Sequence, residues 1–137
     1  MVIGRYDALK GITLLGDGHG NFKTVPLQQS GFVVDNDARA LARIDTKNNQ
    51  SLFVASIIMD SLKIFKSNKL DGLKRIYPCK DEVAVILGLG ENKKRKIELN
   101  NTSGYLSASS RSVIITPGIK YAEFYNNNGH KTRVVNF

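Results

Sequence analysis

The feature that most constrains the fold of this chain is a succession of short apolar segments that end at glycine, asparagine or proline. Several of them alternate apolar and polar residues with a period of two, which is typical of half-buried strands. The strongest turn signal is Asn128-Gly129, because these two residue types tolerate the backbone angles of a tight hairpin. The pattern therefore predicts an all-β fold built from antiparallel sheets.

The first half of the chain predicts a hairpin followed by a small sheet. The run Gly16-Asp17-Gly18-His19-Gly20 separates two short apolar segments, so we expect it to reverse the chain and return Phe22 to the core. Residues 38–44 (ARALARI) have a helical composition, but their period of two favours a strand. Residues 51–59 (SLFVASIIM) are almost continuously apolar, which predicts a central strand with both faces covered. The alternation in residues 61–67 (SLKIFKS) predicts a strand nearer the edge.

The second half predicts a hairpin and then three more short strands. The hairpin is formed by residues 83–87 and 96–99, around a loop with two glycines. Pro117-Gly118 and Asn128-Gly129 supply the turns between the later strands. Residues 68–80 between the two halves are mainly polar and show no long amphipathic helix, so we place a domain boundary there.

Composition limits the classes of protein to consider. The chain has 137 residues, of which 42% are hydrophobic, enough for one domain with a buried core. The single cysteine, Cys79, excludes an intrachain disulfide and a zinc site of several cysteines. A net charge of +8 biases the chain toward polyanions. No apolar run approaches the roughly 20 residues of a membrane-spanning helix, and residues 1–5 lack the order of a signal peptide, so we expect no membrane insertion.

The glycine-rich loop suggests phosphate or metal binding, and neither hypothesis fits its context. A phosphate site needs a helix after the loop, whereas an extended segment ending in Pro26 follows here. Calcium needs several convergent oxygen ligands, and Asp17 supplies the loop's only carboxylate. A second calcium candidate combines Asp45 with Asn48 and Asn49, but Lys47 lies inside that loop. We expect no cofactor and no metal, with calcium at Asp45 as the disfavoured alternative.

No pattern of catalytic residues is recognisable, and we predict that the chain is not an enzyme. His19 and His130 each lie in a glycine-containing turn, where histidines are usually solvated. The serines of residues 103–112 lack a nucleophile elbow and a positioned base. No spacing of carboxylates resembles the pair that glycosidases use.

The basic run Lys93, Lys94, Arg95, Lys96 is the best sequence evidence for binding of a polyanion such as nucleic acid. Together with Tyr105, Tyr121 and Phe124 on strands, it would form a charged sheet with rings for stacking. The alternative is a solvated hairpin tip that keeps the sheet soluble and its edges unpaired. We favour this alternative, because the run lies at a turn and the rings also suit core packing.

Two long stretches resemble known bacterial modules. The segment YDALKGITLLGDGHGNFKTVPLQQSGFVVDNDARALARID, followed by SLFVASIIMDSLKIFKSN, resembles the last repeat of FG-GAP/VCBS-type repeat proteins. The segment KKRKIELNNTSGYLSASSRSVIIT resembles the ASPIC/UnbV module that follows such repeats. Gly104-Tyr105-Leu106-Ser107 and Ser109-Ser110-Arg111 stand where that module carries its signature. Together the two resemblances cover residues 6 to about 135.

The resemblance implies a β-propeller blade at residues 6–68, packed against a second small antiparallel sheet in a C-terminal module at residues 80–137. It further implies the C-terminal part of an exported, cell-surface or periplasmic repeat protein that binds a protein or glycan partner without catalysis. The expected contact residues are Tyr105, Ser107, Ser109 and Arg111. Their alternative role is a structural corner that holds the tail module to the blade. Because a single repeat leaves sheet edges exposed, we also expect a tendency to form homo-oligomers.

Overall fold

The computed structural model describes residues 10–90, 93–102, 104 and 107–137. Within these residues the chain forms strands joined by turns, one single-turn helix, α1 (Leu27–Ser30), and one 3-10 turn (Asn68–Leu70). The strands are β1 (Thr13–Gly16), β2 (Phe22–Val25), β3 (Ala38–Asp45), β4 (Ser51–Ile57), β5 (Lys63–Lys66), β6 (Lys74–Ile76), β7 (Glu82–Gly88), β8 (Lys94–Glu98), β9 (Val113–Ile115), β10 (Tyr121–Asn126) and β11 (Lys131–Asn136). The all-β prediction is confirmed.

The strands pair into small sheets, and every pairing is antiparallel. In the first half, β1 and β2 form a hairpin, and β3, β4 and β5 form a three-stranded sheet in that order. In the second half, the four-stranded sheet has the order β11-β10-β7-β8, and β6 pairs with β9. The antiparallel pairing is therefore as predicted, and the strands are divided among several small sheets.

The larger core lies on one face of the four-stranded sheet. Phe124 and Ala122 alternate with more exposed neighbours along β10 and are fully buried, as is Val85 on β7. Such alternation places every second side chain on the same face of a strand. The β6–β9 pair packs against this face through its own apolar residues. The remaining buried members of this core are Ile76, Leu87, Leu99, Val113, Ile115 and Ile119.

A smaller core lies on one face of the three-stranded sheet. Ala55 and Ile57 of β4 pack with Val34, and the rings of Phe32 and Phe65 cover them with their centroids 4.7 Å apart. As predicted, β4 is central and β5 lies at the edge. The expectation that both faces of β4 are covered is wrong, because its second face is only half-buried in the part of the chain that the structure describes.

Two further differences from the sequence expectations have physical reasons. Phe22 is 69% exposed, because it lies beside the glycine loop and its ring covers Gly16 at the base of the turn rather than the core. Strand β6 was not predicted, since three residues in a charged, polar segment carry almost no periodic signal. It lies within residues 68–80, the segment assigned as a domain boundary.

Candidate interaction surfaces

Arg111, one of the predicted contact residues, ties together three backbone segments. Its Nε donates to the carbonyl of Leu99 at 3.2 Å and its Nη1 to the carbonyl of Cys79 at 3.2 Å. Its Nη2 donates to the carbonyl of Glu82 at the start of β7. The three carbonyls lie at residues 79, 82 and 99, so these bonds give the planar guanidinium a structural role within the C-terminal part of the chain rather than between that part and the blade. A contact between this side chain and a partner stays a prediction.

The serines after Gly104 continue the edge of the three-stranded sheet. Ser109 Oγ accepts a hydrogen bond from the backbone N–H of Arg43 at 3.0 Å, and Ser110 Oγ accepts one from that of Asp45 at 2.9 Å. The N–H of Ser110 donates in turn to the carbonyl of Arg43 at 2.6 Å. The segment therefore satisfies backbone groups that an edge strand such as β3 would otherwise expose.

The remaining two predicted contact residues are less constrained by the structure. Ser107 is half-buried and forms an isolated antiparallel bridge with Gly104. Tyr105 lies outside the described residues. Of the predicted set, the structure places Ser109 at the junction between the two halves of the chain, whereas the side-chain bonds of Arg111 reach carbonyls at and after residue 79.

Asp45 is the centre of a buried polar network at the same junction. Its side chain is 1% exposed and accepts hydrogen bonds from Ser51 Oγ at 3.0 Å and from Ser112 Oγ. The Nε atoms of Arg75 and Arg43 lie 3.4 and 3.5 Å from its Oδ1. Both Nε atoms are buried without a hydrogen bond, so they depend on the charge of the carboxylate.

Arg75 completes this network from β6. Its side chain is fully buried and donates to the carbonyls of Leu70 and Leu73, each at 3.1 Å, to that of Asn49, and to Ser51 Oγ at 2.9 Å. The Asp45 carboxylate and the Asn49 carbonyl, two groups of the calcium hypothesis, are thus directed at a guanidinium. Among the residues described, no group of three His, Cys, Asp or Glu is arranged to hold a metal ion.

A second ion pair, in which the carboxylate is buried and the arginine is partly exposed, joins β7 to β11. Glu82 accepts two hydrogen bonds from Arg133, at 2.8 and 2.9 Å, and further bonds from the Cys79 N–H and from Thr132 Oγ1. Burial tends to raise the pKa of Glu82, but the bonds from Arg133, Cys79 and Thr132 outweigh it and lower the pKa below 4.5. The Arg133 guanidinium also lies 4.3 Å from the centroid of the Phe124 ring.

The basic run is divided between two sides of an edge strand. Lys93 lies in the turn, and the other three residues belong to β8 rather than to the tip. Lys94 stands opposite Gly88 and Lys96 opposite Ile86, which places both on the face turned away from the core. Arg95 is on the opposite side of the strand. Lys96 lies 3.5 Å from Glu98, so part of the positive charge is compensated on the strand itself.

Tyr121 and Phe124, two of the rings in the polyanion hypothesis, lie on opposite faces of β10. Phe124 is fully buried between apolar neighbours on the inner face of β10, as the favoured alternative of core packing predicted, and does not serve as a stacking ring. Tyr121 alternates with it on the outer face of the same strand and is half-buried. Tyr125, which the polyanion hypothesis did not include, also lies on that outer face.

The three-stranded sheet has one open apolar face. Cross-strand register aligns Ala42 with Val54 and Ile64, and it aligns Ile44 with Leu52. Ile44 is 45% exposed and Ile64 is 61% exposed, whereas Leu52 and Val54 are half-buried. None of the five belongs to a core cluster of the described residues. We call this set the open face.

The glycine loop has the geometry of a self-contained turn. Asp17 accepts hydrogen bonds from the backbone of His19 and Asn21 and from the side chain of Asn21. The bond from the Asn21 side chain is the main reason why the pKa of Asp17 is lowered. Gly18 and Gly20 adopt positive φ angles, as a tight reversal requires. His19 and His130 are both exposed in their turns, as predicted.

Comparisons with models of protein families, with curated proteins and with solved structures gave no match. In the part of the chain that the structure describes, no helix has the length and apolar character needed to cross a bilayer. What this chain binds is therefore inferred from the chemistry of its own surfaces.

Proposed function

We propose that this chain is a non-catalytic interaction domain that docks a protein partner on its open face. The observation that carries the proposal is the contiguity of five apolar residues on three neighbouring strands, with Ile44 and Ile64 about half exposed. A single exposed apolar residue is common on protein surfaces, but a contiguous apolar patch marks a site of association. In line with the resemblance to repeat proteins, the parent protein is exported or located at the cell surface.

The chemistry of the open face specifies the kind of partner. Its residues are all aliphatic, three of them β-branched (Ile44, Val54 and Ile64), and they lie on a pleated surface, so the complementary surface is the apolar face of another β-sheet. Lys66, on the same side of β5, pairs with Asp71 at 3.0 Å and adds little net charge. We therefore assign the partner as a β-sheet domain of a separate protein.

The buried polar networks support a binding role without catalysis. The Asp45 carboxylate is enclosed by arginines and serines, and Glu82 is enclosed by Arg133, Thr132 and a backbone N–H. Both carboxylates hold parts of the fold together, and both are about 1% exposed. Burial raises the pKa of Glu82, but the hydrogen bonds from Arg133, Cys79 and Thr132 lower it below its usual value, so this carboxylate is charged at neutral pH and has a structural role.

The proposal is tested by comparing two variants with the same change of charge. Ile64→Glu places a carboxylate on the open face, and Leu89→Glu places one at a 39% exposed apolar residue in the turn before β8. Immobilised native protein and both variants are used to capture proteins from a surface and periplasmic extract of the source organism. The dissociation constant of each captured, purified protein is then measured by calorimetry.

We expect at least one β-sheet protein that binds the native chain and the Leu89→Glu variant alike, and the Ile64→Glu variant at least about tenfold more weakly. Sedimentation of the native chain shows whether a second copy occupies the face instead. If every captured protein binds Ile64→Glu as tightly as the native chain, the open face is not the docking surface.

A further inference from the structure

The outer face of the four-stranded sheet carries a flat aromatic surface that the proposed docking function does not use. Tyr121 stands opposite Gly88 of the neighbouring strand. A Cβ atom added to Gly88 would lie 2.6 Å from Cδ1 of the Tyr121 ring and nearer still to Cε1 and Cζ. The ring therefore lies directly on the backbone of β7, with one side against the strand and the other turned away from it.

The glycine at this position is explained by the ring and not by the backbone. Gly88 does not have a positive φ angle, so any residue type could adopt its conformation. Glycine inside a strand lowers β-propensity and usually marks a close approach by another group. Here the group is Tyr121, which is held as a platform instead of projecting into solvent.

Polar groups of fixed orientation border the platform. Glu123, two residues along β10 and thus about 7 Å away, accepts hydrogen bonds from Lys131 Nζ at 2.6 Å and from Tyr125 Oη at 3.0 Å. The bond from Lys131 is the main cause that lowers the pKa of Glu123, so the carboxylate is charged near neutral pH. Lys94 pairs with Gly88 from the neighbouring strand β8. Its positive charge contributes to lowering the pKa of Glu123 and opposes the rise in the pKa of Tyr125.

The charges on this face are nearly balanced. Lys131 is paired with Glu123, and Lys96 lies 3.5 Å from Glu98. A polyanion needs several uncompensated cations in a row, because its affinity comes largely from released counterions. A neutral ligand with an apolar face and a rim of hydroxyl groups matches the surface better. A pyranose ring has both: C–H groups on one side that pack on an aromatic ring, and hydroxyls that bond to carboxylate and ammonium groups.

We propose that the outer face of the four-stranded sheet binds a neutral pyranose unit of an oligosaccharide, stacked on Tyr121 and hydrogen-bonded by Glu123 and Lys131. Gly88 acts as a positioning residue, since it allows the ring to lie flat. The site is on a different sheet from the open face, so it does not depend on the docking proposal.

The test is a titration of the ¹⁵N-labelled chain, followed by amide chemical shifts, with a panel of neutral hexasaccharides: cellohexaose, laminarihexaose, xylohexaose, mannohexaose, maltohexaose and N-acetylated chitohexaose. We expect at least one to shift amides of β7 and β10, with a dissociation constant on the order of 1 mM or below. Tyr121→Ala should weaken this binding at least about tenfold, and Tyr121→Phe should retain it because the ring remains. Tyr77→Ala, a 55% exposed tyrosine elsewhere, is the matched control.

Folding of each variant is checked from the dispersion of its amide spectrum. Glu123→Gln is a second variant, in which the Tyr121 ring is unchanged. This variant should also weaken binding, because it removes the charged acceptor. The proposal is overturned if none of the six sugars shifts these amides, or if Tyr121→Ala binds as tightly as the native chain. It is equally overturned if a deoxythymidine decamer shifts the same amides more strongly than every sugar and added salt abolishes the effect.

Discussion

At the scale of single residues, the structure distinguishes glycines that turn the chain from one that makes room for a side chain. Gly18 and Gly20 adopt positive φ angles in the first hairpin, and their spacing predicts that turn from the sequence alone. Gly88 lies in an apolar strand, and the sequence offers no sign that its neighbour in space is Tyr121. Such a pairing depends on strand register, which one sequence does not specify for non-consecutive strands.

The Glu82–Arg133 pair leads to a prediction about acid stability. The pKa of Glu82 is lowered in the folded chain from its usual value of 4.5, so its contribution to the free energy of unfolding is fully present above about pH 4.5. That contribution is lost as the pH falls through the folded pKa. We therefore expect native stability to decline below pH 4.5, and Glu82→Gln to remove part of this decline, as measured by urea denaturation between pH 3 and 7.

At neutral pH, Arg133→Ala should lower the free energy of unfolding by about 2–3 kcal/mol, because the buried carboxylate loses its charged donor. Lys96→Ala, which removes one member of an exposed pair, should change it by less than about 0.5 kcal/mol. If both substitutions changed the free energy of unfolding equally, the Glu82–Arg133 pair would stabilise the fold no more than an exposed ion pair does.

At the scale of elements, local patterns predicted strands well where the apolar signal was long. Strands β3, β4, β5 and β7 lie within one or two residues of their predicted positions, and the Asn128-Gly129 turn connects β10 to β11. The predicted hairpin strand at residues 96–99 is shifted to Lys94–Glu98, since lysines at an edge strand resemble a solvated turn. Strand β6 could not be predicted, because it is stabilised by its pairing with the distant β9 rather than by its own residues.

The segment around Ser110 behaves as an edge element, which can be tested directly. Ser110→Pro removes the N–H that donates to the Arg43 carbonyl, and Ser110→Ala removes only the hydroxyl that accepts from Asp45. By urea denaturation, we expect the proline variant to lose about 3 kcal/mol and the alanine variant about 1 kcal/mol of unfolding free energy. An alanine variant as unstable as the proline variant would show that the backbone bond contributes little.

At the scale of the whole molecule, the two halves meet at the Asp45 network. Residues of β3, β4, β6 and the Ser110–Ser112 segment converge on one carboxylate. The sequence marked Asp45 as a potential calcium ligand because an aspartate in an asparagine-rich loop resembles such a site. It gave no sign of the two arginines, since one of them arrives from the unpredicted strand β6.

Removing the charge at this junction should destabilise the whole chain. In Asp45→Asn, the fully buried guanidinium of Arg75 and the partly exposed one of Arg43 lose the carboxylate that compensates them, which should cost about 3–5 kcal/mol. By differential scanning calorimetry, we expect the midpoint of unfolding to fall by roughly 10 °C or more. Asp37→Asn, which alters an exposed pair with Arg39, is the matched control and should leave the midpoint unchanged. A native midpoint in Asp45→Asn would mean that the junction does not limit stability.

Because Asp45 and the serine segment that encloses it lie far apart in the sequence, the ribosome releases them at different times. Asp45 and Ser112 are 67 residues apart, so the carboxylate leaves the ribosome long before the segment that encloses it. Until Ser109 and Ser110 have emerged from the exit tunnel, the backbone groups of Arg43 and Asp45 at the edge of β3 lack these partners from the tail. During this interval the nascent first half exposes unpaired edge groups that can pair with other chains.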